Sequence, residues 1–264
     1  MPYELSVNLE YCFTEAGERI EDRIAAAAAA GFRKVELFLL KGRDLPSIAA
    51  ALKANDVELV STVADYVTQL VDPATHEGFL AVFRQAAEDA LALGCRNVVV
   101  TSGRGVPWLK RPVQLRIFAE ALQKLLPIAE ELDVTILLES ANTRHDHPGV
   151  LCATTGDSVD VAEIVASPRV RLLYDLYHST VEGEDPAKVL PEVIHLVDHV
   201  QIADAPGRGE PGSGEIDWPA SLALLEQVGY KGLIGLELQP TRNPTSEALA
   251  YIQGLCREFG AGGA

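Results

Sequence analysis

The chain has 264 residues, of which 48% are hydrophobic and 23% charged, a composition typical of a globular protein with a full core. Its formal net charge of −16 repels phosphate backbones and anionic lipids, which disfavours nucleic acids and membrane surfaces as partners. No bilayer-spanning apolar run, signal-peptide pattern or C-x-x-C cysteine pair occurs in the sequence, so we expect a protein of the reducing cytoplasm.

Eight short β-rich runs alternate with amphipathic helical stretches along the chain. The predicted strands are residues 3–11, 34–40, 57–65, 97–103, 135–139, 171–175, 199–204 and 232–238. Between them, apolar residues three and four positions apart indicate helices, as in "FLAVFRQAAEDALALG". The alanine run at 25–30 indicates a helix that packs closely on the sheet, because alanine is small and a strong helix former. No linker marks a domain boundary, so we predict a single domain over residues 1–264.

Eight strands that alternate with helices in about 250 residues predict a single (β/α)8 TIM barrel of the α/β class. The main alternative is a doubly wound open sheet. Such a sheet usually carries a glycine-rich phosphate loop after its first strand. Here the first strand is followed by "CFTEAGERI", which has one glycine and lacks that spacing.

Polar side chains stand at or near the ends of the last four predicted strands. They are Glu139, Asp175, Gln201 and Glu237, separated by 36, 26 and 36 residues. The active site of a TIM barrel lies at the carboxyl ends of its strands, so we expect these side chains to meet. Three carboxylates so close would repel one another, and a divalent cation removes that penalty. The sequence therefore predicts one ion bound by oxygen atoms, Mg²⁺ or Mn²⁺, with Gln201 as its neutral ligand.

The loop at 207–212 matches G-x-G-x-x-G, but Glu210 interrupts it and no helix follows it directly. We interpret it as a flexible active-site loop that carries Arg208. His178, three residues after Asp175, is a candidate for binding substrate or for ordering the metal ligands, and a surface position stays open. The nearby pair His145 and His147 is expected to be solvated.

Two arginines follow strands whose ends face the predicted mouth: Arg144 after strand five and Arg208 after strand seven. An arginine fork binds a carboxylate with two hydrogen bonds. These residues therefore favour a small 2-oxo or 2-hydroxy acid over a neutral sugar as the substrate. The alternative is that they pair with neighbours such as Asp146, Asp204 or Glu210.

Several segments together resemble the hydroxypyruvate isomerase group of the xylose isomerase-like barrels. The segments are "TILLESANTRHDHPG", "LLYDLYH", "HVQIADAPGRGEPGSGEIDW" and "GYKGLIGLEL". The resemblance covers nearly the whole chain and implies one metal on Glu139, Asp175, Gln201 and Glu237. It also implies that Glu139 and Glu237 transfer the proton in a reaction that passes through an enediolate.

The resemblance implies an aldose–ketose type isomerase of carbohydrate metabolism, with conversion of hydroxypyruvate to tartronate semialdehyde as the favoured reaction. The chain departs from the group after strand five, where Ser140 and Ala141 replace the usual proline, and after strand three, which lacks an Asn-x-Pro-x-Gly stretch. A ketose 3-epimerase, or an isomerase of a neutral sugar or related 2-oxo acid, therefore stays open.

Functions of other classes are a DNA-repair endonuclease, disfavoured by the charge, and a non-catalytic sugar-binding barrel, disfavoured by the two glutamates. We expect a small-molecule substrate, and self-association into a homo-oligomer stays open.

Overall fold

Eight parallel strands close into a barrel in the computed structural model, which describes residues 3–261. The strands are β1 (Leu5–Asn8), β2 (Lys34–Glu36), β3 (Glu58–Val63), β4 (Asn97–Val100), β5 (Thr135–Glu139), β6 (Val170–Asp175), β7 (Val197–Ile202) and β8 (Ile234–Leu236). Each strand pairs with its neighbours in sequence, and β8 pairs with β1 to close the sheet. The predicted TIM barrel is confirmed. Strand β2 is shorter than predicted. Its apolar run continues beyond Glu36 into a loop, where Leu37 and Leu40 are buried, so the run looks like a longer strand in the sequence.

Helices surround the barrel. They are α1 (Ile20–Ala29), α2 (Leu45–Asn55), α3 (His76–Ala92), α4 (Arg111–Glu131), α5 (Thr155–Val165), α6 (Leu176–Glu182), α7 (Pro186–Val193), α8 (Trp218–Gln227), α9 (Thr245–Ala248) and α10 (Ala250–Ala261). The predicted (β/α)8 pattern implies eight helices, which is too few for residues 3–261. Two helices connect β6 to β7, and two follow β8. Helix α6 ends at Gly183, whose φ of 95° favours glycine, and the Asp185 side chain caps the start of α7.

The side chains of each strand alternate between two packing layers. Ile136 and Leu138 of β5 belong to the large core between barrel and helices, whereas Leu137 belongs to a small cluster inside the barrel. Leu173 of β6 belongs to the same inner cluster. Because side chains two residues apart share one face of a strand, Glu139 is also directed to the barrel interior. Asp175 follows Leu173 by the same spacing.

None of the helices described within residues 3–261 has the length and apolar character needed to cross a membrane.

Candidate active site

A pocket of about 450 Å³ lies at the carboxyl ends of the strands. Glu139 at the end of β5, Gln201 in β7 and Glu237 just after β8 line this pocket. Asp175 ends β6, is 3% exposed and is paired in register with Gln201. The four side chains proposed as ligands thus lie at one end of the barrel, and their binding of a metal stays a prediction.

The carboxylic acids in this region disfavour one another's ionised forms. Burial and the nearby Glu237 and Asp175 hold the pKa of Glu139 well above its usual range. Burial also raises the pKa of Glu237. The Arg208 guanidinium opposes this increase, and the Asp175 carboxylate adds to it. The close approach of these acids is costly unless a proton or a cation balances their charge.

Two buried oxygen atoms at this end of the barrel have no hydrogen-bond partner among the described residues. They are Asp175 Oδ2 and Gln201 Oε1. An unpartnered buried acceptor loses its hydration without compensation, so such atoms usually mark a missing partner. Ligand atoms of Glu139, Asp175 and His178 also lie within 4.8 Å of one another. An oxygen-rich set with free acceptor atoms fits a hard divalent cation such as Mg²⁺ or Mn²⁺.

His178 belongs to the first turn of α6, beside the carboxylates of Glu139 and Asp175. The backbone N–H of Asn142 donates to its Nδ1 at 3.3 Å, so the proton of the neutral ring lies on Nε2. Nε2 is 3.8 Å from Asp175 Oδ2 and 4.0 Å from Glu139 Oε1. Burial lowers the pKa of His178 to about 4, which keeps the ring neutral at pH 7. A protonated Nε2 is a donor, which favours contact with a substrate oxygen over metal ligation.

Arg208 enters the pocket from the loop after β7. Its Nη2 donates to Glu237 Oε1 at 2.5 Å, and its Nη1 lies 3.7 Å from Asp146 Oδ1. The guanidinium lies over the rings of Tyr11 and Tyr177, at 5.7 and 5.3 Å from their centroids. The side chain is buried, and its Nε has no partner among the described residues. The Nε–H group of Arg208 is therefore free for an anionic or polar group of a substrate.

A buried carboxylate fixes the loop that carries this arginine. Asp204 is fully buried and accepts hydrogen bonds from the backbone N–H of Gly212 and from Trp218 Nε1. Gly214 packs so closely that a Cβ there would lie 2.5 Å from the carbonyl oxygen of Ala205. These contacts tie the glycine-rich turn to the end of the barrel, and its flexibility stays a prediction. Gly209 and Gly214 serve close packing, whereas Gly207 and Gly212 have positive φ of 103° and 91°.

The other polar residues proposed from the sequence are divided between two places. Arg144 is exposed, does not line the 450 Å³ pocket, and borders a neighbouring cavity of about 810 Å³. His145 is exposed, as expected. His147 lines the main pocket and packs edge-on against His178, with ring centroids 5.3 Å apart. The structure therefore brings Arg208 and His178, but not Arg144, to the carboxylates.

Two charged residues of the pocket were not predicted from the sequence. Arg104, in the loop after β4, lines the pocket, and its guanidinium has no hydrogen bond or ion pair with the described residues. Glu36, at the end of β2, also lines the pocket and is 1% exposed. Burial opposes its ionisation, but His199 and hydrogen bonds from neighbouring side chains lower the pKa of Glu36 to about 2. Its position inside the apolar run "KVELFLL" was the available signal.

Comparison with known proteins agrees with this barrel. Residues 24–255 match the family described as xylose isomerase-like TIM barrel. The chain belongs to this family. A human protein named "Putative hydroxypyruvate isomerase" is 30% identical over 264 residues, which cover 96% of this chain and 95% of that one. A "2-oxo-tetronate isomerase" from Pectobacterium atrosepticum is 27% identical over 257 residues, covering 95% and 97% of the two chains.

A solved structure is also similar to this chain. It is described as an AP endonuclease of family 2 from Brucella melitensis, with a TM-score of 0.84 and 29% identity, and covers 96% of this chain and 99% of that one. The resemblance to the hydroxypyruvate isomerase group is confirmed by the full-length relatives. Because the two relatives described above are both named isomerases, they support the predicted enzyme class, an isomerase.

Proposed function

We propose that this barrel is a divalent-metal-dependent isomerase that moves a proton between adjacent carbons of a short 2-oxo acid. The favoured reaction converts hydroxypyruvate to tartronate semialdehyde. One observation carries the proposal: Glu139 and Glu237 line the same pocket as the unpartnered Gln201 Oε1, and the unpartnered Asp175 Oδ2 lies beside them. The names of the full-length relatives support the same reaction class.

The side chains of the site divide the chemistry among them. Glu139, Asp175, Gln201 and Glu237 would hold the cation, which when bound supplies stabilisation of the negative charge on the enediolate oxygens. One of the two glutamates removes the proton from the hydroxyl-bearing carbon beside the carbonyl, and the other returns a proton to the former carbonyl carbon. The hydroxyl proton passes to the former carbonyl oxygen, so that the hydroxy ketone becomes a hydroxy aldehyde. Such positioned proton transfer contributes about 10²–10⁴-fold to the rate. His178 donates a hydrogen bond from Nε2 to a substrate oxygen.

The local charge supports an anionic substrate. The whole chain has a net charge of −16, yet Arg104 and Arg208 bring two guanidinium groups to this pocket. Arg208 is paired with Glu237 through Nη2 but has its Nε free, as far as residues 3–261 are concerned. Arginine forms charge-assisted hydrogen bonds with carboxylates. A carboxylate-bearing substrate is therefore favoured over a neutral ketose.

The volume of the pocket supports a second candidate, a longer 2-oxo acid. Hydroxypyruvate has three carbons, and even if each non-hydrogen atom took the roughly 30 Å³ of a whole water molecule in the liquid, it would fill at most about 200 Å³. That is less than half of the 450 Å³ pocket. An acid with a fourth carbon and a further hydroxyl uses more of this space, in agreement with the name of the Pectobacterium relative.

Proton exchange in D₂O tests both candidates. Protein treated with EDTA is incubated with hydroxypyruvate, a four-carbon 2-oxo acid or a panel of neutral ketoses, with and without added Mg²⁺ or Mn²⁺. We expect metal-dependent deuterium incorporation next to the carbonyl of an acid, together with formation of the aldehyde isomer. Glu139→Gln is the matched control, since it keeps the shape of the side chain and removes the base. Exchange restricted to neutral ketoses, or unaffected by EDTA, would contradict the proposal.

A further inference from the structure

The carboxylate of Glu36 is saturated with hydrogen bonds. Ser6 Oγ and His199 Nε2 lie 2.6 and 3.0 Å from Oε1. Ser61 Oγ and Gln201 Nε2 donate to Oε2 at 3.1 and 2.7 Å. All five residues are at most 3% exposed. A charged group enclosed in this way has a defined position, because every partner would lose a buried hydrogen bond if it moved.

The contact with Gln201 restricts the orientation of that amide. Its Nε2 also donates to Glu237 Oε2 at 3.0 Å, so both amide protons are directed to carboxylates. A flipped amide would place Oε1 against the oxygens of Glu36 and Glu237 and would leave Nε2 without these acceptors. Oε1 is therefore held on the other side of the amide, where no described residue is its partner.

We propose that Glu36 is a positioning residue that locks the Gln201 amide so that its Oε1 is presented to the cation. This inference rests on the proposed metal-dependent function. Glu36 is a buried charge that transfers no proton, and positioning the amide gives it a role in the site. Hydrogen bonds to a ligating side chain fix its direction and are commonly nearly as important as the ligand itself.

Gly235 makes room for this arrangement. It lies in β8 and is paired in register with Gln201. A Cβ at this position would overlap Glu36 Oε1 and would lie 2.9 Å from His199 Nε2. The overlapping atom is the end of a flexible side chain, so an alanine here displaces the Glu36 carboxylate without removing a donor or an acceptor. Gly235→Ala therefore shifts the carboxylate that accepts from Gln201, while every hydrogen-bonding side chain of the cluster is kept.

Binding of Mn²⁺ to the full chain, measured by calorimetry without substrate, tests the inference. We expect the Kd of Gly235→Ala to rise about 10- to 100-fold, the usual effect of disturbing a residue that orients a ligand. Glu36→Leu, which can accept no hydrogen bond from Gln201, should weaken binding in the same direction. The electron paramagnetic resonance spectrum of bound Mn²⁺ should change in both variants, since one ligand loses its fixed position.

Two controls separate positioning from a general loss of stability. Gly78→Ala adds the same methyl group in α3, where nothing lies within 4 Å, and should bind Mn²⁺ as the wild type does. Asp157→Asn makes a carboxylate-to-amide change in a hydrogen-bonded network at the start of α5 and should lower the Tm without changing the Kd. If Glu36 has a purely structural role, Gly235→Ala and Glu36→Leu should also lower the Tm without changing the Kd.

The outcomes distinguish the inference from the proposed function. If the wild type binds no Mn²⁺, or if Asp175→Asn binds it as tightly as the wild type, the metal site itself is refuted. If Asp175→Asn fails to bind while Gly235→Ala binds with the wild-type Kd, Glu36 has no positioning role and the metal site stands. Should Glu36→Leu fail to fold, Gly235→Ala decides alone, because it retains the whole hydrogen-bonding set.

Discussion

Replacing Arg208 with alanine separates an anionic substrate from a neutral one. Arg208 is 7% exposed, so a bond from its free Nε–H to a substrate carboxylate forms away from bulk water. A charge-assisted hydrogen bond of this kind contributes about 1.5–3 kcal/mol. Since 1.4 kcal/mol corresponds to a factor of ten, its loss weakens the interaction with a carboxylate by about 10- to 150-fold.

The same substitution has a second effect that is common to every substrate. It removes the guanidinium that contacts Glu237 at 2.5 Å, and an isolated buried charge of this kind costs about 3–5 kcal/mol. The useful quantity is therefore a ratio, kcat/KM for hydroxypyruvate divided by kcat/KM for the best neutral ketose of the exchange panel. The common loss cancels in this ratio, which we expect to fall by about 10- to 150-fold in Arg208→Ala.

An unchanged ratio would refute the assignment of the substrate carboxylate to Arg208. The matched control is Arg242→Ala, because Arg242 is exposed and contacts Glu210 of the same loop at 3.4 Å without lining the pocket. Its ratio should equal that of the wild type. If Arg104→Ala lowers the ratio while Arg208→Ala does not, the carboxylate is bound at the β4 side of the pocket instead.

Removal of metal with EDTA should abolish turnover, and added Mg²⁺ or Mn²⁺ should restore it; persistence of the full rate after EDTA would contradict the metal requirement. Glu139→Gln and Glu237→Gln should each lower kcat by at least about 10²-fold while the circular dichroism spectrum is retained, and near-wild-type turnover would remove that glutamate from the mechanism. Arg144→Ala should change KM for hydroxypyruvate by no more than about fivefold, because an exposed charge contributes up to roughly 1 kcal/mol; a larger rise in kinetic assays would restore its proposed role in binding. Burial raises the pKa of Asp157, but the hydrogen bonds from Arg111 outweigh burial and lower this pKa in the folded state. The stabilisation that Asp157 contributes is therefore present above its unfolded pKa of about 3.9 and is lost as the pH falls through the lower folded value. Asp157→Asn should therefore cost about 1.5–3 kcal/mol in urea unfolding at pH 7, and a difference from the wild type that does not shrink below about pH 4 would contradict this.

The sequence predicts the barrel well because its signals are local. Each strand is a short apolar run and each helix has its own period, so eight repeats of the pattern leave few other topologies. The strand ends then indicate where polar side chains meet. Helix α6 was harder to predict, because it starts directly after Asp175 and ends within seven residues at Gly183.

The parts of the site that were not predicted depend on contacts between distant residues. The proton of His178 is assigned through the backbone of Asn142, 36 positions away. Arg144 and Arg208 look equivalent in the sequence, since both follow strand ends. Only the folded loops bring one of them to the pocket and leave the other outside. Arg104 became a candidate only when its guanidinium was found without a partner in the described part of the chain.

The amide of Gln201 inside an apolar strand and the buried carboxylate of Glu36 beside it thus have a common explanation. Gln201 offers a neutral oxygen only if its N–H groups are held elsewhere, and Glu36 and Glu237 hold them. Without Glu36, the amide could turn and present a donor to the cation, which a cation repels. In the proposed site, a neutral ligand at β7 therefore requires a buried anion at β2 and Gly235 in β8, which no inspection of Gln201 in the sequence alone reveals.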